Sequence, residues 1–100
     1  MRVAIGLRLA SEDWTAASTY VVEAERMGVD CVWSVEAWGH DAVSPLAFLA
    51  ARTSRIRLGT GIMQAGTRTP ALIAMTAMSL ASMSGGRFIL GLGVSGPQVI

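Results

Sequence analysis

The amino-acid sequence predicts an α/β fold built on a parallel sheet, and three observations predict it. Apolar runs rich in Val, Ile and Leu open near residues 2, 30, 56 and 87, roughly 26 to 31 residues apart, the spacing of successive strand–helix units. The segments between them carry apolar residues at helical spacing, bounded by capping and stop residues. The runs themselves are almost continuously apolar rather than alternating, as strands covered on both faces are.

Taken in order, Arg2 to Leu9 is the first strand. Ser11 is the expected N-cap of the first helix, with Glu12 and Asp13 in its first turn, where acids meet the positive end of the helix. Ala17, Tyr20, Val21, Ala24 and Met27 give that helix its apolar face from Trp14 to Met27, and Gly28 stops it. Asp30 to Val35 is the second strand, followed by a loop from Glu36 to Val43. Ser44-Pro45 reads as N-cap and first helical residue of a second helix that runs to about Thr53. Ile56 to Met63 is the third strand. Thr69-Pro70 opens the third helix in the same way, and it ends before Gly85-Gly86. Arg87 to Val94 is the fourth strand. Repetition of this kind fits either a doubly wound sheet or a barrel. A closed barrel typically takes about 250 residues, so the chain reads as an incomplete part of one unless it is a small self-contained α/β domain.

Composition narrows the function classes. The chain is 52% hydrophobic and 15% charged with a net charge of +1, which offers no electrostatic attraction for nucleic acid or an anionic membrane. The apolar stretch Pro70 to Met83 is too short to span a bilayer, and no basic segment precedes an apolar one at the N-terminus. Cys31 is the sole cysteine, so no internal disulfide forms, which fits a cytoplasmic setting; it is expected as a small buried apolar residue. No His/Cys cluster has metal-binding spacing, so no metal is expected.

A specific succession of motifs then narrows the fold. Ile56-Arg57-Leu58-Gly59-Thr60-Gly61-Ile62, Arg68-Thr69-Pro70, Ser84-Gly85-Gly86-Arg87-Phe88 and Leu90-Gly91-Leu92-Gly93 together resemble the N-terminal part of the luciferase-like monooxygenase superfamily. The stretches from Glu36 to Pro45 and from Gly93 to Gln98 resemble its branch that uses the deazaflavin coenzyme F420, with an FMN-using branch as the alternative. The resemblance implies a parallel (β/α) TIM-type barrel, of which residues 1–100 supply the first three βα units plus a fourth strand as the N-terminal portion of one domain. It also implies an oxidoreductase that moves a hydride between F420 and a small organic substrate. The rival reading is a non-catalytic fragment that needs the missing half of the barrel. An open piece leaves a sheet edge and an apolar face uncovered, hence the expectation of self-association into a homo-oligomer.

Barrel ligands sit at the C-terminal ends of the strands, so the candidate residues are those that end strands. The resemblance implies a non-prolyl cis peptide at Gly61-Ile62, bulging against one face of the deazaflavin, with Met63 beside it. It implies that Glu36 approaches the polar edge of the ring and that Val94, Ser95 and Gly96 lie against the cofactor. Trp38 and Arg68, both beyond strand ends, are expected to reach the substrate. Where some relatives keep a catalytic His and a general acid, this sequence has Ala37 and Gly96, so no catalytic residue is assigned. His40 reads as a loop histidine. Gly91 to Gly96 also spells a dinucleotide-binding pattern, but its first Gly lies inside a strand and Pro97 follows, which argues against it. Arg87, at the opposite end of its strand, is expected to pair with an acidic neighbour. Trp14 and Trp33 read as core or helix-packing residues. Met63, Met75, Met78 and Met83 read as core filling.

Overall fold

The computed structural model describes residues 2–7, 13–36 and 41–94. Four strands, β1 (Ala4–Gly6), β2 (Cys31–Ser34), β3 (Arg57–Thr60) and β5 (Phe88–Ile89), pair in parallel in the order β1-β2-β3-β5. Two further short strands, β4 (Met63–Gln64) and β6 (Leu92–Gly93), pair in parallel with one another and continue β3 and β5 beyond a break. A spatial order that follows the chain without reversal decides between the two architectures left open by the sequence. A doubly wound sheet reverses at a switch point, whereas consecutive order is that of a barrel wall.

The three helices are α1 (Trp14–Arg26), α2 (Val43–Ala50) and α3 (Pro70–Met83). The cap of α1 is Asp13, whose carboxylate accepts from Ala16 N at 3.0 Å, not Ser11, which lies outside the described residues. Gly28 follows the helix with φ +88°, a conformation that Gly adopts without steric penalty. The start of α2 also differs from expectation. Asp41 Oδ2 accepts from Val43 N, Ser44 N and Ser44 Oγ, so the helix opens at Val43 and Pro45 sits in its first turn. An acid with two oxygens reaches more free N–H groups than a serine hydroxyl. For α3 the reading holds: Thr69 Oγ1 accepts from Leu72 N, Pro70 is the first residue, and the helix ends at Met83.

One core lies between the sheet and the helices, formed by Val21, Val32, Leu46, Leu49, Ala50, Ile56 and Leu58. Trp14 packs edge-on against Phe48, whose ring also carries the Arg52 guanidinium 3.8 Å from its centroid. Met63 is fully buried, but Met75, Met78 and Met83 are exposed, against expectation. Met75 and Met83 border a groove with Val43 and Ala47 of α2, and Leu80 is the one buried residue of the helix. A helix this apolar has no internal polar face to direct it, so its orientation comes from packing alone. Among the described residues no helix is long and apolar enough to cross a membrane.

The end of the sheet where strands begin is tied by an Arg57–Asp30 ion pair and by two charges that bond mainly to backbone. Glu25 Oε2 accepts from Ser54 N, Arg55 N and Ile56 N at 2.6 to 2.9 Å. Burial raises its pKa, yet these three N–H groups outweigh that and hold it below the ordinary value. Arg87 does not find the acidic neighbour expected of it. Its guanidinium donates to the carbonyls of Ala50, Thr53, Ile56 and Ser84 and to Thr53 Oγ1. The last carbonyls of a helix have no partners within it, and a five-donor cation supplies them.

Candidate functional site

Because all strands are parallel, their C-terminal ends gather on one side. Register places Val32 opposite Leu58 and Trp33 opposite Gly59. Since Val32 and Leu58 belong to the core beneath the helices, Trp33 and Gly59 face the other way, towards the interior of the barrel. Of the two readings of Trp33, core or helix-packing, the second therefore fails: it packs on the inner wall of the sheet. Its indole lies flat on the wall: a Cβ at Gly59 would stand 2.4 Å from the ring, and one at Gly61 3.3 Å. Only a backbone without side chains accommodates the indole there.

The third strand breaks where the resemblance implies. The Gly61-Ile62 bond is cis, and it separates β3 from β4. Around the break, backbone and one hydroxyl replace the interrupted ladder. Gly61 N donates to Ser34 O at 2.7 Å, and Met63 N donates to Gly91 O at 2.8 Å. Thr60 Oγ1, fully buried, donates to Gly91 O at 2.9 Å and accepts from Gly91 N at 2.8 Å. Sequence reading passed over Thr60; a lone polar residue in a buried strand just ahead of a break was the available signal. The glycines of the fourth strand answer the same geometry. A Cβ on Gly91 would lie 2.2 Å from Thr60 O, and one on Gly93 2.4 Å from Ile62 Cδ1. They admit the bulge, so the glycine pattern has a packing cause here and no phosphate need be invoked.

The outcome is a ledge made of Gly61 and Ile62, backed by Trp33 on one side and Gly93 on the other. Gly61 is exposed and Ile62 half-buried, and no charged side chain stands among these four residues. An uncharged, shallow ledge of backbone and apolar side chain suits the face of a flat aromatic ring system. Met63, expected to join it, points into the core with 0% exposure. Val94 is 77% exposed at the end of the fourth strand. Ser95, Gly96 and Trp38, together with Ala37 and His40, lie outside the described residues.

Glu36 and Arg68, read from sequence as contacts to two different ligands, reach each other. Arg68 Nη1 donates to Glu36 Oε1 at 2.5 Å and Nη2 to Oε2 at 2.6 Å. The carboxylate also accepts from Gln64 N at 2.8 Å and from Ala42 N at 3.0 Å. The hydrogen bonds from Arg68 come first among the causes that bring the Glu36 pKa down to about 2, with burial opposing them. The Glu36 and Arg68 side chains are 9% and 13% exposed.

Comparison with known proteins agrees with this architecture. The luciferase-like monooxygenase family model matches residues 1–100. The chain belongs to the luciferase-like monooxygenase family. A Mycobacterium tuberculosis protein provisionally named a coenzyme F420-dependent oxidoreductase is 55% identical over 80 residues, covering 80% of this chain and 23% of that protein. The coenzyme F420-dependent tetrahydromethanopterin reductase of Methanopyrus kandleri superposes with a TM-score of 0.82 at 29% identity, over 99% of this chain and 29% of its own. The oxygenating constituent of 3,6-diketocamphane monooxygenase from Pseudomonas putida, in complex with FMN, reaches a TM-score of 0.86 at 20% identity. That likeness covers 98% of this chain and 31% of the other, and it shows the shared fold alone. The chain thus spans less than a third of the length of these relatives.

Proposed function

We propose that this chain is the N-terminal portion of a single (β/α) barrel domain whose activity is F420-dependent oxidoreduction of a small organic substrate. The observation that carries the reading is the uncharged ledge of Gly61 and Ile62 at the C-terminal ends of the strands, in a chain whose relatives include proteins named for F420. Coenzyme F420, when bound, supplies hydride chemistry at the central carbon of its deazaflavin ring. The residues of this chain supply orientation and dryness. Gly61 and Ile62 offer one face for a planar ring, Trp33 closes the space behind them, and Gly93 lets the Ile62 side chain lie flat. Val94 ends the fourth strand on the cofactor side, and the family resemblance assigns Ser95 and Gly96 to the cofactor and Trp38 to the substrate. A single cysteine, the free and buried Cys31, forms no internal disulfide, which fits a cytoplasmic setting.

Self-association into a homo-oligomer belongs to the same reading. The stretch from Pro70 to Met83 has no charged residue, and Leu72, Met75, Met78 and Met83 are exposed on it. Such a surface is complementary to a second copy of itself.

Titration of the protein with F420 and, separately, FMN, followed by absorbance, tests the cofactor. Tighter binding of F420 is expected. Tighter binding of FMN overturns the assignment, and binding of neither favours a non-catalytic fragment.

A further inference from the structure

Glu36 is the acid that ends the second strand on the ligand side, yet its oxygens have nothing left to offer a ligand. An ionised carboxylate has about four acceptor positions. Here Oε1 accepts from Gln64 N and Arg68 Nη1, and Oε2 accepts from Ala42 N and Arg68 Nη2. Arg68 turns both terminal nitrogens to Glu36, and Nη1 also approaches Gln64 O at 3.4 Å. The Glu36 carbonyl accepts in turn from Gln64 Nε2 at 3.4 Å.

The segments joined are the informative part. Glu36 lies two residues past β2, and Ala42 immediately precedes α2. Gln64 ends β4 two residues past Ile62, and Arg68 follows the 3-10 turn Ala65–Thr67 just ahead of α3. One planar fork therefore fixes the far side of the ledge to the strand beside it. The longer Gln64 Nε2 to Glu36 O contact is a second, weaker link between the same segments. A backbone ledge has no side-chain packing of its own to set its height, so its position depends on how its two ends are anchored. Gly61 N to Ser34 O anchors the near end, and the Glu36–Arg68 fork anchors the far end.

We infer that Glu36 and Arg68 form a positioning pair that holds the Gly61–Ile62 ledge in register with β2, and that the Glu36 carboxylate does not contact cofactor or substrate directly. The inference rests on the proposed cofactor site for its functional meaning, but its geometry can be tested without any cofactor. Preorganisation of this kind raises affinity by sparing the ligand the ordering of its own site.

The test uses the protein expressed from its complete reading frame, as Glu36→Gln, Arg68→Met, Arg68→Lys and the Glu36→Gln/Arg68→Met double variant. Gln has one acceptor oxygen where Glu has two, so hydrogen exchange at Ala42 or Gln64 is expected to speed up about tenfold or more in E36Q, and at both in R68M. Unchanged exchange at both amides in both variants overturns the pair. In F420 titrations each single variant is expected to bind about tenfold more weakly, and the double variant no more weakly than the worse single, because each change breaks the same link. Arg68→Lys keeps the charge but not the fork, and recovers only part of the loss. Losses that multiply in the double variant, or full F420 affinity in R68M, overturn the inference in favour of direct contact by Glu36. If the parent protein binds FMN and not F420, the cofactor reading fails while the exchange data still decide the pair.

Discussion

The two ends of the sheet hold their least exposed charges in different ways. Where the strands begin, Arg57 pairs with Asp30, but the buried Glu25 takes three backbone N–H groups and the half-buried Arg87 gives to four carbonyls and a hydroxyl. Where the strands end, two charges are met chiefly by each other, Glu36 by Arg68. A charge satisfied by backbone welds one loop in place and admits no alternative partner. A paired acid and base joins two loops through their side chains and can be tuned at either member. The first arrangement suits an end that only has to be stable, the second an end where the placement of a ledge decides what binds.

Substitution at the first end should break stability without touching the ligand. Arg87→Met strands carbonyls at the end of α2 and is expected to cost about 3 kcal/mol by denaturant unfolding, with the F420 affinity of whatever remains folded unchanged. A loss of affinity at full stability removes the contrast between the ends. At the second end, Gly91→Ala drives a Cβ into the Thr60 carbonyl, a backbone atom that cannot rotate away. A loss of roughly 2–3 kcal/mol is expected, accompanied by weaker cofactor binding, since the ledge must shift to make room. Stability lost with affinity intact argues that the ledge does not carry the ring.

Acid sharpens the comparison further. The Glu36 pKa is about 2 in the fold against an ordinary value of 4.5, so its contribution is complete above pH 4.5 and disappears as pH falls from there to about 2. The amount at stake is roughly 3 kcal/mol, readable as a falling unfolding midpoint across that window. In Arg68→Met the window should narrow, because its main cause has been removed. Two smaller effects complete the series. Met78→Asp on the charge-free face of α3 is expected to shift light-scattering mass towards the monomer, and an unchanged mass excludes that face from self-association. Thr69→Ala removes the α3 cap and is expected to lower stability by about 1 kcal/mol, with no change at the ledge.

Much of the fold was legible because local signals and tertiary demand agree. Thr69-Pro70 caps α3 as read, Gly28 stops α1, and each expected strand contains a real one. Where the reading slipped, a competing group nearby won. Asp41 caps α2 in place of the expected Ser44, whose own hydroxyl donates to it, and Asp13 caps α1. The site was legible in position and less so in partnership. Gly61 and Ile62 stand where the resemblance set them, but Glu36 and Arg68 are 32 residues apart in the chain and no local rule couples them. Arg87 was read towards an acid because carbonyl acceptors leave no mark in a sequence. Thr60 went unread for the same reason, its partner being backbone of Gly91.

The sequence by itself determined the alternation of strand and helix, the parallel sheet, and the strand ends as the place to look. Those are consequences of hydrophobic periodicity and capping, which act over a few residues. Tertiary structure alone decided that the strand order runs without reversal, that Trp33 faces the barrel interior, and that Glu36 belongs to Arg68. Each of these depends on which distant segment arrives beside which, and packing across the sheet settles that where composition does not.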